Sequence, residues 1–236
     1  QPEKAALHEL CHVLDATGPQ QRVGGQHRQK IAQGGLDLKV LAPDTLRHLA
    51  QQVREQQLGS LPADQGLVPQ LQDWLRAAGH DVIVINAGVS GDTTAGGLSR
   101  LDWTLAEDPD AMIVALGGND LLRGTDPAAS RANLDAILTR LGSEGVPVML
   151  AGLSAPGNYG PDFQRDFAAM FPDLAQKHGA VLYPDLLAPI TERYAAGESY
   201  AHLMQGDGLH PSAEGVRAIV EALGPAVDAW LDGMGR

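Results

Sequence analysis

Cysteine is all but missing: Cys11 is the only one in the chain, so no intrachain disulfide can form and no site built on several thiolates can hold zinc. That usage leaves the redox compartment open, because proteins without disulfides occur on both sides of a membrane. Positive charge is also scarce. Lys and Arg number 17 against 29 Asp and Glu, a formal net charge of -12, which disfavours nucleic acid and anionic membrane surfaces as partners, since both need a basic face. No apolar run approaches the roughly 20 residues of a membrane-spanning helix. Gln1 opens the sequence with neither an initiator Met nor a signal-peptide pattern, so a processed or missing terminus is expected. What is present is an acidic chain of 236 residues, 44% hydrophobic, long enough for one substantial core and suited to a small or neutral partner.

Composition changes near residue 60. Residues 1–60 hold 7 Lys and Arg against 6 Asp and Glu, a net of +1, which leaves -13 for residues 61–236. Ten of the sixteen Gln fall in that first stretch and no Phe, Tyr or Trp does. Such a segment has little with which to build a core. The expected organisation is an atypical Gln-rich segment over 1–60, foreign to the fold through a frame change, fusion or deletion, followed by one domain over 61–236.

After residue 60 the order is regular. "HDVIVIN" (80–86), "DAMIVAL" (110–116), "VPVMLAG" (146–152) and "AVLYPDL" (180–186) are strand-length apolar runs bounded by turn formers. Helical patterns separate them over 62–79, 93–108, 126–142 and 160–179, and a last one runs over 212–231. Alternating strand and helix predicts an α/β fold with a mostly parallel sheet covered on both faces. Ligands then meet the loops beyond the carboxyl ends of the strands.

Those loops carry polar chemistry. "NAGVSGDTT" (86–94) offers Gly91 for a close backbone approach and Asp92 as a cap for the next helix. "ALGGNDLLRG" (115–124) offers the side-chain NH2 of Asn119. "QGDGLHPS" (205–212) sets Asp207 three positions before His210, with Pro211 suited to a first helical turn. Each stretch taken alone also reads as a turn with a helix start. Together they supply what acyl transfer needs: a base, an acid to fix its tautomer, and neutral NH donors where a carbonyl oxygen gains charge.

"NAGVSGDT", "LGGND" and "DGLHP", in that order and at these separations, resemble the second, third and fifth sequence blocks of the SGNH (GDSL) hydrolases, and within them the group of thioesterase I, lysophospholipase L1 and arylesterase. The resemblance implies a three-layer α/β/α flavodoxin-like fold and a Ser-His-Asp triad that needs no metal or other cofactor. By position it implies an oxyanion hole from the Gly91 NH and the Asn119 side chain, with Asp207 and His210 completing the triad. "APGNYGPDF" (155–163) resembles the segment beside that group's acyl pocket, which makes Asn158 and Tyr159 substrate-binding candidates. The group is often periplasmic.

The first block, Gly-Asp-Ser-Leu after an apolar strand, is not found before residue 80. "QLGSLPAD" gives Ser60 as the nearest match, although the preceding "LAQQVREQQ" is polar and reads as helix or loop. "LDLKVLAPDTL" (36–46) satisfies the topology with Thr45 in place of serine, and Pro43 in place of the glycine removes a backbone NH. Ser154 is a third candidate, and the absence of any working nucleophile is a fourth reading. Two functions follow: a hydrolase of carboxylic esters or thioesters acting through an acyl-enzyme, or a catalytically silent relative that binds a ligand or partner in the same pocket. A nucleotide-binding domain is disfavoured, because no Gly-x-Gly-x-x-Gly follows a strand and no phosphate-loop lysine motif occurs. His8 and His12 are read as surface residues, and oligomeric state cannot be read from the sequence.

Overall fold

Runs rich in Val, Ile, Met and Leu make the strands, since such side chains suit a pleated surface covered on both faces. In the computed structural model, which describes residues 49–53, 61–89 and 91–234, the strands are β1 (Leu49–Val53), β2 (Val84–Asn86), β3 (Met112–Ala115), β4 (Val148–Ala151) and β5 (Val181–Tyr183). They form one sheet in the order β2-β1-β3-β4-β5, and every pairing is parallel. Four strands lie inside the runs expected to form them. β1 does not: "LAQQV", expected as helix or loop, pairs with β3 from Ala50 opposite Met112 to Val53 opposite Ala115. Strand pairing is made by backbone groups, so two glutamines do not prevent it.

Nine α-helices are seen among the described residues: α1 (Leu67–Ala77), α2 (Thr94–Ser99), α3 (Leu101–Leu105), α4 (Gly118–Leu122), α5 (Pro127–Ser143), α6 (Pro161–His178), α7 (Ala188–Ala195), α8 (Tyr200–Leu203) and α9 (Ala213–Met234). The helical pattern over 93–108 is two helices broken at Arg100, and the one over 62–79 begins as a short 3-10 turn at Ala63–Gln65.

Strand alternation divides the core into two layers. Ile113, Met149 and Ala151 pack with Leu71 and Leu75 of α1 and with Ile219, Leu223 and Val227 of α9. Met112, Val114, Val148 and Leu150 point the other way, onto Leu134, Ile137 and Leu141 of α5 and Phe167, Met170 and Phe171 of α6. This is the three-layer α/β/α arrangement. The strand order reverses between β1 and β3, the kind of switch point at which open α/β sheets bind ligands.

The chain's only three Phe, 163, 167 and 171, recur every fourth residue along α6, with Tyr159 one step before them. Consecutive rings lie 4.8, 6.0 and 5.6 Å apart, a ladder leading from the loop after β4 into the core. Phe167 is fully buried in it. Phe167→Ala is expected to cost about 3–5 kcal/mol, as large-to-small changes of buried aromatics do. The measurement is urea unfolding, where the midpoint falls by about 1 M or more.

Candidate active site

Asp207 and His210 are in direct contact. His210 Nδ1 lies 2.6 Å from Asp207 Oδ2, while Asp207 Oδ1 accepts from the backbone NH groups of Leu209 (2.9 Å) and His210 (3.0 Å). The three-residue spacing is explained by this geometry: a tight turn lets one carboxylate hold both the backbone and the ring of the same histidine. Burial pushes the Asp207 carboxyl up, but the hydrogen bonds from the His210 ring and from the Leu209 and His210 backbone outweigh it, and the group sits below its ordinary value of 3.8. An ionised carboxylate can only accept, so Nδ1 carries a proton, and in the neutral ring Nε2 is the nitrogen with a lone pair to accept another.

The surrounding loop is tightly knit. Gln205 donates its backbone NH to the His210 carbonyl (2.7 Å) and its side-chain NH2 to the Pro211 carbonyl (3.0 Å), and the Tyr200 hydroxyl donates to the Gly208 carbonyl (2.9 Å). Pro211 is not in the first turn of α9; it forms an antiparallel bridge with Met204, and the helix starts at Ala213. Gly215 permits that closure, because a Cβ there would sit 2.0 Å from the Leu203 carbonyl oxygen. Gln70, in the first turn of α1, donates to the Ala213 carbonyl (3.3 Å). That bond ties the segment after residue 60 to the start of α9, three residues beyond His210.

Gly91 and Asn119 follow β2 and β3, whose carboxyl ends share one edge of the parallel sheet. Gly91 has φ 78°, a left-handed conformation that glycine adopts at little cost. Thr93 caps α2, its hydroxyl accepting from the Gly96 NH (3.2 Å). Asp92, expected as the cap, pairs instead with Arg100 Nε, while Arg100 Nη1 donates to the Ala87 carbonyl. Asn119, expected in a loop, is the second residue of the short helix α4, and Asp120 beside it is buried. Arg123 Nη2 donates to the Gly91 carbonyl (2.8 Å), linking the two loops.

The other candidates fall unevenly. Ser60 and Thr45 lie outside the described residues. Ser154 is exposed beyond β4, and no hydrogen bond joins it to His210. Tyr159 sits in a short 3-10 turn (Gly157–Tyr159), half-buried against Phe163 and over Gly124, whereas Asn158 in the same turn is exposed. Among the described residues, His80, Asp228 and Asp232 are the one group whose ligand atoms are close enough together to hold a metal ion, and His80 Nε2 is already paired with Asp228. His80 precedes β2, so this group lies at the opposite edge of the sheet from Gly91 and Asn119. "HELCH" (8–12) has the letters of a His-Glu-x-x-His zinc motif, a match that reading His8 and His12 as surface residues overlooked. It lies outside the described residues.

Residues 42–218 match the model of the GDSL-like lipase/acylhydrolase family. The chain is 37% identical over 172 residues to esterase TesA of Pseudomonas aeruginosa, covering 72% of this chain and 82% of that protein. It is 33% identical over 162 residues to an arylesterase of Vibrio mimicus, covering 68% and 78%. A crystal structure of the psychrotrophic esterase EstA from Pseudoalteromonas sp., inhibited by monoethylphosphonate, superposes with a TM-score of 0.66 at 30% identity, covering 73% of this chain and 91% of that one.

Proposed function

The chain belongs to the GDSL-like lipase/acylhydrolase family, and from that membership we propose that it hydrolyses carboxylic esters or thioesters by acyl transfer through His210, Asp207, Gly91, Asn119 and a hydroxyl nucleophile. The observation that carries this reading is the 2.6 Å contact between His210 Nδ1 and Asp207 Oδ2, which leaves Nε2 as a base. The nucleophile's oxygen attacks the acyl carbon as its proton passes to Nε2. The carbonyl oxygen gains charge against the Gly91 NH and the Asn119 side-chain NH2, and the alcohol or thiol leaves with the proton from His210. Water then attacks the acyl carbon, giving up a proton to the same nitrogen. As the bond from that carbon to the nucleophile's oxygen breaks, Nε2 returns the proton to that oxygen and the carboxylic acid is released.

Ser60 is the proposed nucleophile, ahead of Thr45 and Ser154. Its place in the sequence supports it: seven positions after β1 ends and next to Leu61, which packs on the core between α1 and α9. Asn158 and Tyr159 are proposed to face the acyl group, with Tyr159 as the wall continuous with the α6 aromatic ladder. The substrate class is a small-molecule ester or thioester. No helix among the described residues is long and apolar enough to cross a membrane. A catalytically silent relative is the less favoured reading, since the relatives above are named esterase and arylesterase.

A fluorophosphonate probe followed by peptide mapping tests this directly. The expected result is one covalent label, on Ser60, absent from His210→Ala. A well-folded protein that takes no label overturns the hydrolase reading, and a label on Thr45 or Ser154 moves the nucleophile. Activity towards p-nitrophenyl esters of graded chain length then ranks the acyl groups. A foreign origin for residues 1–60 is proposed only as part of the silent reading, since it would take β1 and Ser60 out of the family's own sequence, within which residues 42–60 fall. Under that reading, sequencing the encoding DNA through codons 1–65 reveals a disturbed reading frame or junction upstream of codon 61; an undisturbed frame matching the source genome removes it.

A further inference from the structure

The Asp120 carboxylate is 1% exposed, and a charge so placed is costly unless hydrogen bonds hold it. Its three donors come from two other elements. Thr94 at the start of α2 gives its backbone NH to Oδ2 (2.8 Å) and its hydroxyl to Oδ1 (2.6 Å), and Ser130 of α5 gives its hydroxyl to Oδ1 (2.9 Å). Asn133 of α5 donates in turn to the Thr94 hydroxyl (3.0 Å). Thr94 and Ser130 are both wholly buried. Thr94 stands three residues after Gly91, and Asp120 is bonded in sequence to Asn119. One carboxylate therefore joins the two chain segments that carry the proposed oxyanion donors, segments that arrive from different strands.

We propose that Asp120 is a positioning residue that, through Thr94, holds the Asn119 side chain in register with the Gly91 NH. The inference rests on the oxyanion role proposed above. An oxyanion hole works because its donors are fixed before charge develops, and a displacement of about 1 Å can cost a hundredfold in rate. Asp120 touches no substrate in this scheme; its effect passes entirely through the donors it aligns.

The test is a double-mutant cycle on the full chain, read as kcat and KM for a p-nitrophenyl ester. Asn119→Ala is expected to lower kcat about a hundredfold with KM little changed, the signature of a contact made in the transition state. Asp120→Ala is expected to lower kcat about ten- to a hundredfold with the same split. In the Asn119→Ala background, Asp120→Ala is expected to cost no more than about threefold, because residues that act as a unit are not additive. If the two penalties multiply, or if Asp120→Ala raises KM and leaves kcat alone, Asp120 is only a structural tie and the inference fails. Should Asp120→Ala not fold by circular dichroism, Thr94→Val removes the hydroxyl donor while keeping the shape and carries the same cycle. An active wild type unaffected by Asn119→Ala overturns the oxyanion assignment itself, and a folded wild type without turnover overturns the hydrolase reading; either takes this inference with it.

Discussion

Replacing His210 by alanine is expected to lower kcat for an activated ester by about 10^4- to 10^6-fold, the range seen when the base of a triad is deleted. The size follows from what the imidazole does twice. It removes the proton from the nucleophile as the acyl bond forms, and it delivers that proton to the leaving group as the ester bond breaks. No neighbour in its loop can substitute: Gln205 and Tyr200 spend their donors on backbone carbonyls, and the Asp207 carboxylate is occupied by Nδ1 and two backbone NH groups. Steady-state turnover of a p-nitrophenyl ester measures the effect, with circular dichroism to establish that the variant is folded. A fall of less than about tenfold removes His210 from the base role.

Asp207→Asn is expected to lower kcat about 10^4-fold while leaving the fold intact, for a reason separate from charge alone. The amide oxygen can still accept from the Leu209 and His210 backbone, so the turn survives. The amide nitrogen then faces Nδ1 and donates to it, which shifts the ring proton to Nε2 and removes the lone pair the nucleophile needs. The same substitution has a distinct signature in stability. A carboxylate whose value is lowered in the folded state stabilises the protein at every pH above its unfolded value and loses that contribution as pH falls through the folded one. With the Asp207 carboxyl held below 3.8, that loss is confined to acid below about pH 4. Urea unfolding at a series of pH values checks it: the variant is less stable at pH 7 and loses stability less steeply below pH 4. Identical acid limbs in the two proteins contradict the pairing.

Much of the fold was legible because its strands announce themselves by side-chain type. Val84–Asn86, Met112–Ala115, Val148–Ala151 and Val181–Tyr183 each lie within an apolar run bounded by turn residues. β1 was not legible, because a reading from burial patterns has nothing to hold where two of five residues are glutamine and the strand is defined by its backbone pairing with β3. The cap of α2 was misassigned for a local reason: Asp92 and Thr93 are adjacent, both are good capping residues, and only the position of Arg100 decides between them. α7 and α8 are too short to leave a clear helical period.

The site divides along the same line. The Asp207–His210 contact spans three residues, so the sequence contains the whole of it, turn included. Asp120 does not yield to such reading, since an Asp after an Asn at a helix start looks like turn chemistry, and its importance rests on Thr94 and Ser130, 26 and 10 positions away. Tyr159 was legible only through a family resemblance, while its packing over Gly124 and against Phe163 depends on how the loop after β4 meets α6.

The account turns on these groups surrounding one reacting carbon. A crystal structure of the full chain after reaction with a phosphonate ester tests that most directly. The predicted result is a phosphorus atom bonded to the Ser60 oxygen, one phosphonyl oxygen within about 2.7–3.1 Å of both the Gly91 nitrogen and the Asn119 side-chain nitrogen, and His210 Nε2 within hydrogen-bonding reach of the adduct. A phosphonyl oxygen turned away from Gly91 and Asn119, or an adduct that His210 does not approach, contradicts it.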